Sequence, residues 1–255
     1  MPRISPPGGA VDWPEAEGVL GVVGVAPWAT IEFCRVFYQS IDASKDWHFP
    51  RVVLDINTKI PSRGRHLQLG ETDPSSAIAA TIAELASMGA TVAVVVCNTA
   101  HILYDRWAHS APIPVLDIID ETLRCALERG ANRVTPLVAA SLAAHDLYGK
   151  RAEALGLSCH RLEPREQDLI NALIAGIKIS GRVAAESETA LHAMLERLRV
   201  GGVDTVVGGC TELSVLDVHC DRVDLEFVDS NLALARAALG RLGVPAEIIR
   251  HGRLA

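Results

Sequence analysis

The chain has no Cys-x-x-Cys pair, no run of Lys and Arg, and no apolar stretch near the roughly 18 residues a membrane span requires. Each absence narrows the function. Without such pairs, a chain of this size does not read as a disulfide framework. The six cysteines, at 34, 97, 125, 159, 210 and 220, then read as free thiols in a reducing cytoplasm. A chain of 255 residues buries a core without disulfide or metal staples. With 24 Lys and Arg against 31 Asp and Glu, and a formal charge of −7, no basic stripe is available for nucleic acid or an anionic membrane. The Pro- and Gly-rich start lacks the apolar core of a signal peptide, and residues 1–17 read as a disordered leader.

What is present is alternation. Short apolar runs (Val19–Val23, Arg51–Ile56, Val92–Cys97) are separated by amphipathic stretches at Ile31–Ile41 and Ser76–Met88. Strands alternating with helices of this length predict βαβ units and a largely parallel sheet, hence an α/β fold. The unbroken valines at 94–96 fit a strand buried on both faces.

An internal echo is more informative. Gly89 is followed by Ala90-Thr91-Val92-Ala93-Val94-Val95-Val96-Cys97-Asn98-Thr99. Gly202 is followed by Val203-Asp204-Thr205-Val206-Val207-Gly208-Gly209-Cys210-Thr211-Glu212. Each cysteine lies eight residues past a glycine that closes a helix, the second helix being about Glu186–Arg199. Each is followed by a short strand closing on aspartate, Pro114–Asp117 and Leu225–Asp229, and then another helix. The expectation is two similar lobes, residues 18–117 with 231–255 and residues 118–230. Each would present a cysteine at the carboxyl end of a parallel strand, where open α/β sheets bind ligands.

Taken singly, a free cysteine at a strand end is a small buried apolar residue. Two at matching positions point to chemistry. Inverting a carbon centre needs one group to take a proton and another, across the carbon, to return one. A thiol suits both roles when its pKa is drawn toward neutrality, and a helix N-terminus favours the thiolate. Asn98, Thr99 and Thr211 are candidate helix caps beside the two cysteines. A metal at Cys97 and His101 lacks further ligands nearby, and His101 reads as a packing or hydrogen-bonding residue behind the cysteine.

Cys97-Asn98-Thr99-Ala100-His101 and Gly209-Cys210-Thr211-Glu212-Leu213 together resemble the aspartate/glutamate racemase family, on its aspartate racemase side. The two motifs, with cysteines 113 residues apart, are specific in combination, and the resemblance runs from about Gly18 to Leu239. It implies two pseudo-symmetric Rossmann-like lobes with the site in the cleft between them, no cofactor, and a homodimer. Cys97 and Cys210 correspond to the catalytic acid/base pair. Ile60-Pro61-Ser62-Arg63 resembles the family's I-P-D-R segment, and Ile177-Lys178-Ile179-Ser180-Gly181 its lysine segment. The resemblance therefore assigns Arg63, Lys178 and Asn57 to an amino-acid or other carboxylate substrate, with Asn98, Thr99, Thr211, Glu212 and Ser141.

Two loops depart from the family pattern. Where the first usually reads G-G-M-G-P-x-A-T, this chain has Val23-Gly24-Val25-Ala26-Pro27-Trp28-Ala29-Thr30, so two glycines have gained side chains. Where a T-x-G-T cluster is usual, Ala139-Ala140-Ser141-Leu142 keeps one hydroxyl. The catalytic pair is intact and part of the substrate cradle is not, which opens the pocket to a larger or less acidic substrate than aspartate. Maleate isomerase, hydantoin racemase and arylmalonate decarboxylase chemistries use the same scaffold and stay open, as does a ligand-binding homologue without turnover. Pyridoxal phosphate on Lys178 lacks a phosphate cradle in the sequence.

Overall fold

The computed structural model describes residues 17–250. Most of the leader expected over residues 1–17, and the end of the chain from 251, lie outside the described residues. Eight strands are described: β1 Leu20–Gly24, β2 Val52–Ile56, β3 Val92–Val95, β4 Val115–Leu116, β5 Arg133–Leu137, β6 Ser158–Cys159, β7 Thr205–Gly208 and β8 Glu226–Asp229. They form two four-stranded sheets, ordered β2-β1-β3-β4 and β6-β5-β7-β8, with every pairing parallel. Adding four to each strand number of the first order gives the second. The fold is α/β, and the echo read in the sequence is an echo of topology.

The sequence explains the strands at the centre. All of Val92-Ala93-Val94-Val95 and all of Thr205-Val206-Val207-Gly208 are buried, as expected for parallel strands covered on both faces. Each is preceded by a glycine in the left-handed region, Gly89 at φ 97° and Gly202 at φ 84°, which lets the chain leave a helix and enter the sheet at once. The register is shared as well: the amide of Val96 donates to the carbonyl of Val23, and that of Gly209 to Leu137.

The helix expected over Ile31–Ile41 runs instead from Pro27 to Gln39. Pro27 supplies the fixed φ of a first helical residue after the extended Ala26, and this moves the start back by one turn. The helices Ser75–Ser87 and Ala185–Val200 fall within a residue of their expected bounds.

One apolar cluster joins the halves, with Val22 and Val94 of the first sheet and Val134, Val207 and Val228 of the second. Two further clusters cover the sheets separately, one around Val95, Ile82 and Trp107, the other around Val206, Leu173 and Leu195. Helix Ser230–Leu242 packs against helices Ile118–Glu128 and Pro27–Gln39 and also touches β3, β4 and β8. The ends of β3 and β7 are thereby fixed against one another by shared packing.

Gly209, just before Cys210, is a point of close approach. A Cβ there would lie 2.6 Å from Val138 Cγ1 and 2.8 Å from the Tyr148 ring. Gly209→Ala should therefore cost about 1–3 kcal/mol through overpacking, read as a lower midpoint in urea denaturation. An unchanged midpoint would show that Val138 and Tyr148 yield freely.

Candidate active site

A cavity of about 170 Å3 opens at the carboxyl ends of β3 and β7. Its lining comes from both halves of the chain: Val25, Ala26, Ser62, Arg63, Gly64, Val96, Cys97, Asn98 and Thr99 from the first, and Ala139, Ser141, Lys178, Cys210, Thr211 and Glu212 from the second. Both cysteines sit two residues past their strand, in extended conformation, at the mouth of a six-residue 3-10 helix (Asn98–Leu103 and Thr211–Leu216). Neither short helix is capped by a side chain, so Asn98, Thr99 and Thr211 do not serve as the caps expected of them. They lie inside the turn because the cysteine itself occupies the capping position, which leaves the thiols facing the cavity.

The thiols differ in surroundings. Cys97 is half-buried, whereas Cys210 is buried, and its Sγ donates to Glu212 Oε2 at 2.9 Å. Burial pushes the Cys210 thiol well above its ordinary pKa, and the adjacent Glu212 carboxylate adds to the shift. The lowering expected at a helix start is therefore overridden at Cys210, which rests as the neutral thiol. Glu212 also accepts from Thr211 Oγ1 at 3.3 Å and faces the Lys178 ammonium at 3.7 Å. Lys178 sits in the last turn of helix Pro164–Ser180, and its charge partly offsets that of the carboxylate.

Arg63 opens the helix Arg63–Leu69, which Ser62 caps by accepting from the Arg65 amide. One end of its guanidinium is held by the carbonyls of Pro61 at 3.0 Å and Ile60 at 3.3 Å. Its Nε is buried with no hydrogen-bond partner in the structure. A buried donor without an acceptor is costly. Ser141 is buried in the short helix Ala140–His145 on the cavity wall. Asn57 does not line this cavity: its amide donates to Thr81 Oγ1 and its oxygen accepts from the Lys59 amide.

A family model described as Asp/Glu/Hydantoin racemase matches residues 21–238, most of the chain. The chain belongs to this racemase family. It is 22% identical to the broad specificity amino-acid racemase RacX of Bacillus subtilis, over 87% of its own length and 96% of that relative's. Its fold matches that of Picrophilus torridus aspartate racemase with a TM-score of 0.75 at 23% identity, covering 89% of this chain and 94% of that one. An aspartate racemase homologue from Pyrococcus horikoshii matches with a TM-score of 0.74 at 20% identity, over 89% and 99% of the two chains.

Behind Cys97 the chain builds a support that the motifs only partly reveal. His101 is buried, its Nδ1 2.9 Å from the Cys97 carbonyl, and its Nε2 faces the Ile118 amide at 3.4 Å. Donation at Nδ1 and acceptance at Nε2 describe a neutral imidazole, and burial holds its pKa below the ordinary value. Asn98 is fixed at both ends: Tyr148 Oη donates to its Oδ1 at 2.7 Å, and its Nδ2 donates to Ser230 Oγ at 3.0 Å. Tyr148 and Ser230 carried no signal in the sequence, since both lie far along the chain from the motif they brace. Among the described residues no group of three or more His, Cys, Asp and Glu is placed to hold a metal ion, and no helix is long and apolar enough to cross a membrane.

Asp117, just past β4, and Asp229, at the end of β8, cap the helices that follow. Asp117 accepts from the amides of Ile119 and Asp120, and Asp229 accepts from the Asn231 amide and from Ser214 Oγ. Burial pushes the Asp229 carboxyl up to about 6 despite these donors. A native pKa raised above the unfolded value means that the folded state binds the extra proton. Stability linked to Asp229 is thus fully present below about 4 and is lost as pH rises through 6. Asp229→Asn keeps an acceptor for the cap and removes the charge. Its melting temperature, relative to the wild type, should be most favourable at pH 7.5 and fall toward pH 5. A pH-independent difference would contradict the raised pKa.

Proposed function

We propose that the protein is a cofactor-independent amino-acid racemase in which Cys97 and Cys210 act as acid and base on opposite faces of the substrate α-carbon. The observation that carries this reading is the opening of both cysteines onto one small cavity that Arg63 also lines. Arg63 would take the α-carboxylate in a fork, which also stabilises the charge that builds up as the α-proton leaves. Glu212 is placed to receive the α-ammonium, whose arrival would release the Cys210 thiol from its carboxylate partner.

In the first turnover Cys97, as thiolate, takes the α-proton and breaks the C–H bond. The electron pair passes into the carboxylate system. Cys210, resting as the thiol, returns its proton to the other face, so that one thiol and one thiolate have exchanged places. Solvent resets the pair, and the same steps in reverse serve the other enantiomer. Asn98, Thr99, Ser141 and Thr211 line the chamber and would orient the substrate; Lys178 tunes Glu212. The family of the chain and the names of its relatives, a broad-specificity amino-acid racemase and an aspartate racemase, favour an amino acid as substrate. The lobes would divide as 18–117 with 231–255 and 118–230, and the protein would act as a homodimer.

Purified, reduced protein incubated with single enantiomers of amino acids, without added cofactor, should invert at least one pair, followed by chiral chromatography. Failure to invert any member of a broad panel would overturn the racemase reading. Binding without α-hydrogen exchange would then mark a ligand-binding homologue.

A further inference from the structure

The cavity does not end at the cysteines. A groove of about 600 Å3 adjoins it, and Val25, Ala26, Lys178, Thr211 and Glu212 line both. Beyond these shared residues the groove is walled chiefly by Pro27, Trp28, Ile31, Ile177, Ile179 and Val215. Three of these side chains are strongly exposed: Trp28 at 70%, Ile31 at 50% and Ile179 at 89%. Large apolar side chains gathered on one groove mark a surface that gains by being covered.

The charges on this path are already committed. Lys178 faces Glu212 at 3.7 Å, and Glu32, the other carboxylate on the groove, is paired with Arg35 at 2.6 Å. Among the described residues lining the cavity Arg63 is the one arginine. A substrate with a second carboxylate would have to take Lys178 from Glu212 and sit between two acidic groups and an apolar wall. A substrate with an apolar side chain meets no such conflict.

Resting on the racemase reading above, we propose that the groove is the side-chain subsite and that the substrate is an α-amino acid with a bulky apolar side chain, of the methionine, leucine or phenylalanine kind. The cavity holds the α-carbon between the cysteines and its carboxylate on Arg63. The side chain leaves past Ala26 and Thr211 and lies against Trp28, Ile31 and Ile179. Trp28, in the first turn of helix Pro27–Gln39, supplies the aromatic wall.

The test uses the full chain and compares kcat/KM for methionine, leucine and phenylalanine with those for aspartate, glutamate and alanine. Alanine reaches the cysteines but not the groove. The apolar substrates should exceed aspartate and glutamate at least tenfold. Trp28→Ala should lower kcat/KM for them tenfold or more, mainly through KM, with alanine changed less than twofold. A preference for aspartate or glutamate, or equal loss for alanine and methionine in Trp28→Ala, would overturn the subsite while leaving the racemase reading in place. Absence of turnover with every amino acid would instead overturn the racemase reading. Calorimetric titration with methionine and aspartate then decides the subsite by itself: tighter binding of methionine supports it, and tighter aspartate binding or none of either overturns it. If Ile179→Glu converts a dimer to a monomer with no change in substrate preference, the face belongs to a second copy of the chain and the subsite is likewise overturned.

Discussion

Cys97→Ser and Cys210→Ser should each lower the rate of inversion by roughly 10³-fold or more, in line with the loss of a positioned acid or base. A serine hydroxyl fits either position but neither gives up nor accepts a proton readily near neutral pH. The double variant should be little slower than either single one, because the two groups act on one transition state. The singles should nonetheless differ. Each thiol serves one face, so a single variant should retain α-hydrogen exchange with only one enantiomer. Cys210 is buried and bonded to Glu212, whereas Cys97 is half-buried, so thermal melts of both variants are needed to separate chemistry from folding. Folded variants that invert both enantiomers at near wild-type rates would remove the cysteines from the reaction.

Arg63→Lys should reduce kcat/KM by about 10- to 100-fold, the equivalent of one charge-assisted hydrogen bond of about 1.5–3 kcal/mol. The lysine keeps the charge but has no planar fork, and it lacks the Nε–H that stands buried and unsatisfied in the structure. Its anchoring to the Pro61 and Ile60 carbonyls changes as well, so the melting temperature should be measured alongside. An unchanged kcat/KM would place the substrate carboxylate elsewhere.

The parts of this molecule legible in the sequence are those encoded by short spacings. Eight residues from Gly89 to Cys97, and eight from Gly202 to Cys210, set a glycine turn, a buried strand and a thiol at the cavity in the same order twice. Two parallel sheets of equivalent order follow from that repetition. The helix Pro27–Gln39 starts one turn ahead of its apolar periodicity, because the proline that begins it lies outside that pattern.

What the sequence withheld depends on contacts between distant segments. Cys210 and Glu212 are two residues apart in the motif, yet the motif does not say that the carboxylate turns back to the thiol, or that burial raises rather than lowers its pKa. Asn57 lies six residues from Arg63 but points to Thr81, away from the cavity that Arg63 lines. Tyr148 reaches Asn98 across 50 residues, and no local pattern marks such a brace.

The central claim, two cysteines acting on opposite faces, is tested most directly by the fate of one hydrogen. A substrate found active is supplied as a single enantiomer in D2O, and both enantiomers are analysed by mass at low conversion. Two separate bases require that every inverted molecule carry one deuterium at the α-carbon, while the molecules not yet inverted keep protium. Substantial protium in the inverted product would mean that a single group carries the hydrogen from one face to the other, and would contradict the two-cysteine mechanism.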